Sequence, residues 1–226
     1  MENWLNRTEL LIGKYNMEKI KKAYITVFGC GGVGSYVVEG LVRAGIENIT
    51  IVDKDVIDIT NINRQLMADT TVIGLAKVDV ERDRLLKINP NLNITISKDF
   101  VNKSNVHKFI NTNTNYIIDA IDTVSSKLDL IEFASKNNIP IISCMGTGNK
   151  LNATKFEITD ISKTSVCPLA KVVRKELRSR GINKLKVLYS KESPIKNDSA
   201  VTASISFVPS VAGLLISGEV IKDLIN

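Results

Sequence analysis

The chain has 226 residues, 44% hydrophobic and 24% charged, with a net charge of +6. That is ample material for one substantial core, and no break in composition asks for a second domain. Cys30, Cys144 and Cys167 form no C-x-x-C pair, which argues against a zinc knuckle or a disulfide framework. No apolar run reaches the roughly 18 residues of a membrane span.

The first ten residues lack a basic-then-apolar leader pattern, so the expectation is a soluble, cytoplasmic protein with reduced thiols. The only histidine, His107, lies in a polar stretch, and no chemistry is expected of it. Residues 3–22 read as two short helices around Gly13. Leu5, Leu10, Leu11 and Ile12 form an apolar stripe there, with Arg7 on the opposite side.

Tyr24 to Phe28 is too short for a helix and too apolar for a loop, so it reads as a buried parallel strand. Gly29, Gly31 and Gly34 follow at G-x-G-x-x-G spacing, with Gly32 and Val33 between them. This spacing supplies a tight turn, close backbone approach to a phosphate, and tight packing of the next helix. That helix starts near Val33, offers unpaired N–H groups and a partial positive charge to an anion, and stops at Gly45. Ile49 to Val52 is the second strand. Asp53 stands at its carboxyl end, about 20 residues past the loop, where a carboxylate can hold a ribose hydroxyl pair. The alternative is a glycine-rich turn that only lets a helix pack closely.

Asp53-x-Asp55 leads into the polar cluster Thr60-Asn61-Ile62-Asn63-Arg64-Gln65, where a doubly wound sheet places its ligand crevice. Residues 73–88 carry helical spacing (Ile73, Val80, Leu85, Ile88) up to Asn89-Pro90. Lys77 near the start of that helix is either an ordinary exposed lysine or a cation facing an anion. Asn93 to Ser97 reads as a strand, Asn102 to Ile110 as a helix, and Tyr116 to Ala120 as a buried strand ending near Asp122. Asp122 or Thr123 caps the helix that runs to Lys136, or Asp122 holds Mg²⁺, and both roles can share the loop.

Ile139 to Ser143 reads as another parallel strand, followed by the loop Cys144 to Asn149. Lys155 to Thr159 alternates as an antiparallel strand would. Pro168 opens a helix that ends at Gly181. One of its faces is apolar, with Leu169, Val172, Val173 and Leu177. The other is basic, with Lys171, Arg174, Lys175 and Arg178, and is a candidate contact for a nucleic-acid backbone or simply a solvated face. From Lys150 onward there are 13 Lys/Arg against 7 Asp/Glu, so the whole surplus of charge lies in this last third. Lys186 to Ser190 is a last strand, 191–203 a mobile polar loop, and the segment from Pro209 an apolar helix that packs on the core or on a second subunit.

The expected fold is therefore α/β: a Rossmann-like, doubly wound, mostly parallel sheet extended by antiparallel strands in the C-terminal third. It is organised as one domain over 1–226, with a helical arm (1–22), a nucleotide-binding core (24–150) and an extension (151–226).

Taken together, Gly29-x-Gly31-Gly32-Val33-Gly34, Asp53-x-Asp55, Asn61-x-Asn63-Arg64-Gln65, Lys77 and Asp122 resemble the ubiquitin-activating-like adenylyltransferases, which also activate sulfur carriers. The second half, with Ser143 to Lys150, Asp160 to Leu169, Tyr189 to Pro194 and Phe207 to Ser210, is similar to the tRNA threonylcarbamoyladenosine dehydratases. Two departures stand out: Asn152-Ala153 replaces a usual Asp-Pro, and Cys167 replaces a usual Asp.

The resemblance implies an ATP-dependent enzyme that activates a carboxylate as its adenylate and closes a ring on a modified tRNA adenosine. Arg64 and Lys77 would neutralise the phosphates, Asn61 and Gln65 orient them, and Asp122 hold Mg²⁺. Asp53 would bind the ribose, Asp55 would support the site, and Arg7 would reach in from the partner of a homodimer. It also admits a sulfur-pathway accessory protein as partner. The alternative within the same family is activation of a ubiquitin-like carrier, with Cys167 accepting its tail. A module that binds NAD and ignores ATP is the reading outside it.

Overall fold

Among the described residues, seven strands form one sheet: β1 (Tyr24–Phe28), β2 (Asn48–Val52), β3 (Asn93–Ser97), β4 (Thr114–Asp119), β5 (Ile141–Cys144), β6 (Phe156–Asp160) and β7 (Lys186–Ser190). Their order is β3-β2-β1-β4-β5-β7-β6 in the computed structural model, which describes residues 3–198 and 201–226. Every neighbouring pair is parallel except β6 and β7. The chain leaves β1 toward β2 on one side and later returns to β4 on the other. The carboxyl ends of β1 and β4 therefore flank the switch point where such sheets bind ligands.

Among the described residues, seven helices cover the sheet: α1 (Asn6–Ile12), α2 (Lys14–Lys22), α3 (Gly34–Ala44), α4 (Lys77–Ile88), α5 (Val124–Lys136), α6 (Pro168–Ser179) and α7 (Phe207–Ile225). Alternation along each strand assigns the layers. Ile25, Val27, Ile49, Ile51 and Ile118 face a core built with Met17, Ile20, Val38, Leu41, Leu85, Ala212 and Ile216, so α2, α3, α4 and α7 lie on that side. Phe28, Val52 and Ile117 face Leu130 and Ala134 of α5, while Val187 and Tyr189 face Val173 and Leu177 of α6. Burial on both faces explains why the central strands are continuous apolar runs. Gly45 ends α3 in the left-handed region at φ 114°. Pro168 is the first residue of α6.

The mixed sheet and most elements stand where the sequence places them, and three do not. The helix expected over Asn102–Ile110 is only a 3₁₀ turn at Val106–Lys108. The reason is local: Asn105 Oδ1 accepts from Asn102 N–H, and Asn102 Oδ1 accepts from Ser104 N–H, so side chains take the backbone donors. The helix expected from Ile73 begins at Lys77, because Ala76 is extended and bridges Val56. Of the apolar stripe expected on the arm only Leu5 is buried, whereas Leu10 and Leu11 are 87% and 84% exposed.

Of the loop 191–203 expected to be mobile, residues 199–200 lie outside the described residues. Elsewhere in that stretch Ile195 N–H donates to Asn149 O at 2.7 Å, and Ala203 pairs with Asn149. Among the described residues no helix is long and apolar enough to cross a membrane.

Candidate active site

Two glycines of the loop stand where nothing larger fits. Gly29 has φ 90°, and a Cβ there would lie 2.6 Å from the carbonyl oxygen of Ala120. A Cβ on Gly34 would lie 1.8 Å from the carbonyl oxygen of Gly29. The first contact seats the loop against the end of β4, and the second brings the start of α3 onto the end of β1. The loop is also held from β2: Cys30 N–H donates to Asp53 Oδ2 at 2.6 Å, and Asp53 Oδ1 accepts from Asp55 N–H at 2.9 Å. A carboxylate offers about four acceptor positions, so Asp53 keeps capacity for a hydroxyl after both bonds.

Arg64 lies over this loop. Its Cγ is 3.2 Å from where a Cβ on Gly32 would sit, and Pro209 of α7 is 3.3 Å from the same point. Its Nη1 donates to Thr60 O and to Asn63 Oδ1, both at 2.8 Å. Asn63 Nδ2 donates to Ser204 O at 3.0 Å. Asn61 is buried and accepts from Asp58 N–H at 3.1 Å, which places it inside a capping box at the turn Ile59–Asn61. Gln65 is buried beside Gly31, and its Oε1 has no hydrogen-bond partner among the described residues. A buried acceptor left unpaired is costly, and such atoms collect where a ligand or water completes the bonding.

Lys77 is the first residue of α4 and is 6% exposed. Its N–H donates to Asp55 O at 3.0 Å, and its Nζ donates to Asp55 Oδ2 at 2.9 Å. Lys54 takes the other Asp55 oxygen at 2.7 Å. Burial pushes the Asp55 carboxyl up, but the hydrogen bonds from Lys54 and Lys77 outweigh it and hold the group below its ordinary range. The lysine is thus neither exposed nor free. It is buried beside the glycine loop and steered by a carboxylate that can share it with a phosphate.

Asp122 is exposed, two residues past the Ala120 carbonyl that meets Gly29, and its side chain accepts from Thr123 Oγ1 at 3.3 Å. It does not cap α5, whose N-cap is Thr123, without a side-chain bond. Among the described residues no three His, Cys, Asp or Glu side chains converge on one point. A single carboxylate suits Mg²⁺, which draws most of its shell from water and phosphate, and does not suit a metal that needs a full protein cage.

Arg7 is exposed at the other end of α3: Leu5, two residues before it, packs against Gly45. Eleven residues of helix, about 16 Å at 1.5 Å per residue, separate that end from the glycine loop. Within one chain the structure does not bring Arg7 to the site.

A model of the ThiF family matches residues 5–226. The chain belongs to the ThiF family. This ThiF family member is 42% identical to the tRNA threonylcarbamoyladenosine dehydratase of Bacillus subtilis (strain 168), over 100% of this chain and 96% of the relative. Crystal structures of the Escherichia coli tRNA N6-threonylcarbamoyladenosine dehydratase superpose closely. The complex with AMP has a TM-score of 0.91 at 33% identity, covering 96% of this chain and 92% of that one. The complex with ATP has a TM-score of 0.92 at 32% identity, covering 97% and 93%.

Of the basic face of α6, Lys171, Lys175 and Arg178 are exposed. Arg174 does not share that face as expected. Its Nη1 turns inward to Thr164 O at 3.0 Å, to Ile161 O and to Thr164 Oγ1, acceptors that the preceding loop presents to it. Cys167 is 4% exposed, inside the core with Val173 and Tyr189, so its thiol is not presented to a carrier tail.

Two buried groups in this family member escaped sequence reasoning. Lys127 is fully buried on Asp119, and Glu81 is fully buried with no nitrogen or oxygen partner for either carboxylate oxygen among the described residues. The signal existed: Lys127 shares a helical stripe with Leu130, Ile131 and Ala134, and Glu81 shares one with Val78 and Leu85.

Proposed function

We propose that the chain works as one adenylating domain: an ATP-dependent dehydratase that activates the threonyl carboxylate of threonylcarbamoyladenosine in tRNA. The observation that carries this reading is a pair of cations tied to one glycine loop: Arg64 packs on Gly32, and Lys77 holds Asp55, whose N–H donates to the same Asp53 carboxylate that holds Cys30 N–H. The tRNA substrate comes from the relatives, which carry that name over the full length of the chain.

The chemistry follows from charge. A carboxylate oxygen attacks the α-phosphorus of ATP, a new P–O bond forms, and pyrophosphate leaves with the electron pair of the broken P–O bond. Both reactants are anionic, so catalysis is mainly positioning and neutralisation. Arg64 spends only Nη1 on the protein among the described residues, which leaves Nη2 and Nε for phosphate oxygens. Lys77 exchanges or shares its bond to Asp55 with a phosphate. Gln65 and Asn61 orient the phosphates, Asp53 accepts from the ribose, and the N–H groups at the start of α3 face the anion. Mg²⁺, where bound, would neutralise phosphate charge, and Asp122 is the residue that would hold it. The neighbouring carbamoyl group then attacks the acyl-adenylate, AMP leaves, and a ring closes. No thiol is needed for an intramolecular attack, which agrees with the burial of Cys167.

A homodimer completes the proposal. Phe207, Leu214 and Leu215 are 45%, 49% and 41% exposed along one face of α7, whose start lies on the glycine loop beside Arg64. Leu10 and Leu11 expose apolar surface on the arm that carries Arg7. Laying one chain's arm near the other's α7 would cover both surfaces and bring Arg7 to a site its own chain cannot reach.

The decisive assay supplies ATP, Mg²⁺ and threonylcarbamoyl-modified tRNA and follows the nucleoside by mass spectrometry. Loss of one water is expected, with AMP and pyrophosphate as co-products. Retention of the unmodified mass, with pyrophosphate exchange that instead depends on a carrier-protein tail, would replace this reading by carrier activation.

A further inference from the structure

Asn149, in the loop after β5, is the least expected node in this crevice. Its φ of 57° is in the left-handed region, which asparagine tolerates better than most residues. It pairs with both backbone groups of Ala203: Asn149 N–H donates to Ala203 O at 2.7 Å, and Asn149 Oδ1 accepts from Ala203 N–H at 2.8 Å. Its Oδ1 also accepts from Asn197 Nδ2 at 3.1 Å, and its carbonyl accepts from Ile195 N–H at 2.7 Å. One residue on, Ser204 O accepts from Asn63 Nδ2, and Asn63 Oδ1 accepts from Arg64 Nη1. Arg64 and Asn149 thus stand at the two ends of one hydrogen-bonded chain. That chain runs from the loop after β2 to the loop after β5 through residues 203–204.

We propose that Asn149 is a positioning residue for Arg64, acting through Ala203, Ser204 and Asn63. An arginine side chain has many rotamers, and holding one of them before the anion arrives removes part of the ordering cost of binding. Asn63 suits the relay because its amide has a donor end for Ser204 and an acceptor end for Arg64. The segment that carries Ser204 is fixed by Asn149 and by packing: a Cβ on Gly148 would lie 2.2 Å from Thr202 Cγ2 and 3.2 Å from Ala203 O. The inference rests on the phosphate role of Arg64 proposed above, and its test separates the two.

The test measures ATP affinity by calorimetry, and kcat and KM for ATP and for tRNA, in Asn149→Gly, Asn63→Ala, their double variant and Arg64→Ala. Glycine at 149 keeps the left-handed backbone and deletes only the side-chain acceptor. Each of the first two is expected to weaken ATP binding about 3- to 10-fold, the range of one or two neutral hydrogen bonds. The double variant should be no worse than either single, since both cut one chain. KM for ATP should rise while KM for tRNA stays unchanged, and Asn149→Gly should add nothing on top of Arg64→Ala. Gly148→Ala, which dislodges the same segment by contact alone, should give the same loss, so the result does not hang on how one variant folds. Multiplying losses in the double variant, or a silent Asn149→Gly where Arg64→Ala is severe, would overturn the positioning role and leave the nucleotide site standing. A silent Arg64→Ala would overturn both.

Discussion

Lys127 Nζ lies 2.7 Å from Asp119 Oδ2, and neither side chain touches solvent. The ammonium also donates to Ser143 Oγ at 3.2 Å and to Cys144 O at 3.0 Å, so its three hydrogens have three acceptors. Asp119 in turn accepts from Ser143 Oγ and from Ile121 N–H, the residue before Asp122. This knot ties β4, β5 and α5 beneath the crevice. A buried ion pair adds little net stability over an apolar replacement, but half of one is costly. Lys127→Met should lower unfolding stability by about 3–5 kcal/mol in urea titrations. Adding Asp119→Leu should recover much of the loss. A single variant within 1 kcal/mol of the parent would mean that the buried carboxylate finds another partner, and the knot would lose its importance.

Glu81 makes the stability of the protein fall as pH rises. Burial, then the charge of Glu39, pushes its carboxyl from the ordinary 4.5 up to about 8, against smaller pulls from Arg84 and the Cys30 thiol. The folded chain therefore holds a proton that the unfolded chain releases above the lower value. Stability is full below that value and is lost as pH climbs through about 8. At about 1.4 kcal/mol per pKa unit, Glu81→Gln should be more stable than the parent by about 5 kcal/mol at pH 9, with little difference at pH 4.5. Urea titrations across that range decide it. Parallel curves would show that the carboxyl is solvated or paired.

What was legible in the chain follows from which signals are local. The first strand, the glycine loop, α3 and Asp53 could be read because a strand buried on both faces is a continuous apolar run, and because Gly34 is demanded by the Gly29 carbonyl five residues back and Gly29 by its own positive φ. Lys77 could be found, but its burial could not. It depends on Ala76 leaving the helical path to pair with Val56, which sets Lys77 against Asp55. Arg174 looked identical to Lys171 and Arg178 because helical position says nothing about which acceptors a preceding loop leaves open. Lys127 and Glu81 were passed over because a charged residue in an apolar stripe reads as an exception when its partner is far along the chain or absent.

The inward turn of Arg174 divides the basic helix into two kinds of residue, and salt dependence separates them. Lys171, Lys175 and Arg178 stand exposed at helical spacing on α6. If they meet RNA phosphates, changing all three to alanine should reduce the slope of log affinity against log salt by about 2–3, since each neutralised phosphate contributes about 0.7–0.9. Arg174→Ala should instead leave the slope alone and lower thermal stability, because Thr164 loses the bonds that Arg174 donates to its carbonyl and hydroxyl. Filter binding of tRNA at several salt concentrations reads both. A triple variant with the parent slope would move the RNA contact to another surface.

Arg7 allows the proposed dimer to be tested through function, without relying on a measured mass. Its helix packs at the far end of α3, so an Arg7 that serves the glycine loop must serve that of another chain. Arg7→Ala and Arg64→Ala should each be nearly inactive alone. Mixed after reversible dissociation, half of the randomly paired dimers contain one chain of each kind. In those dimers, the site with intact Arg64 receives the intact Arg7 of its partner. Activity should return to roughly a quarter of the wild-type rate. If Arg7 worked within its own chain, every site in the mixture would still lack one arginine, and no activity would return. Failure to recover any rate, with subunit exchange verified by a labelled chain, would withdraw Arg7 from the site and leave the apolar faces of α7 and α1 to be explained by another partner.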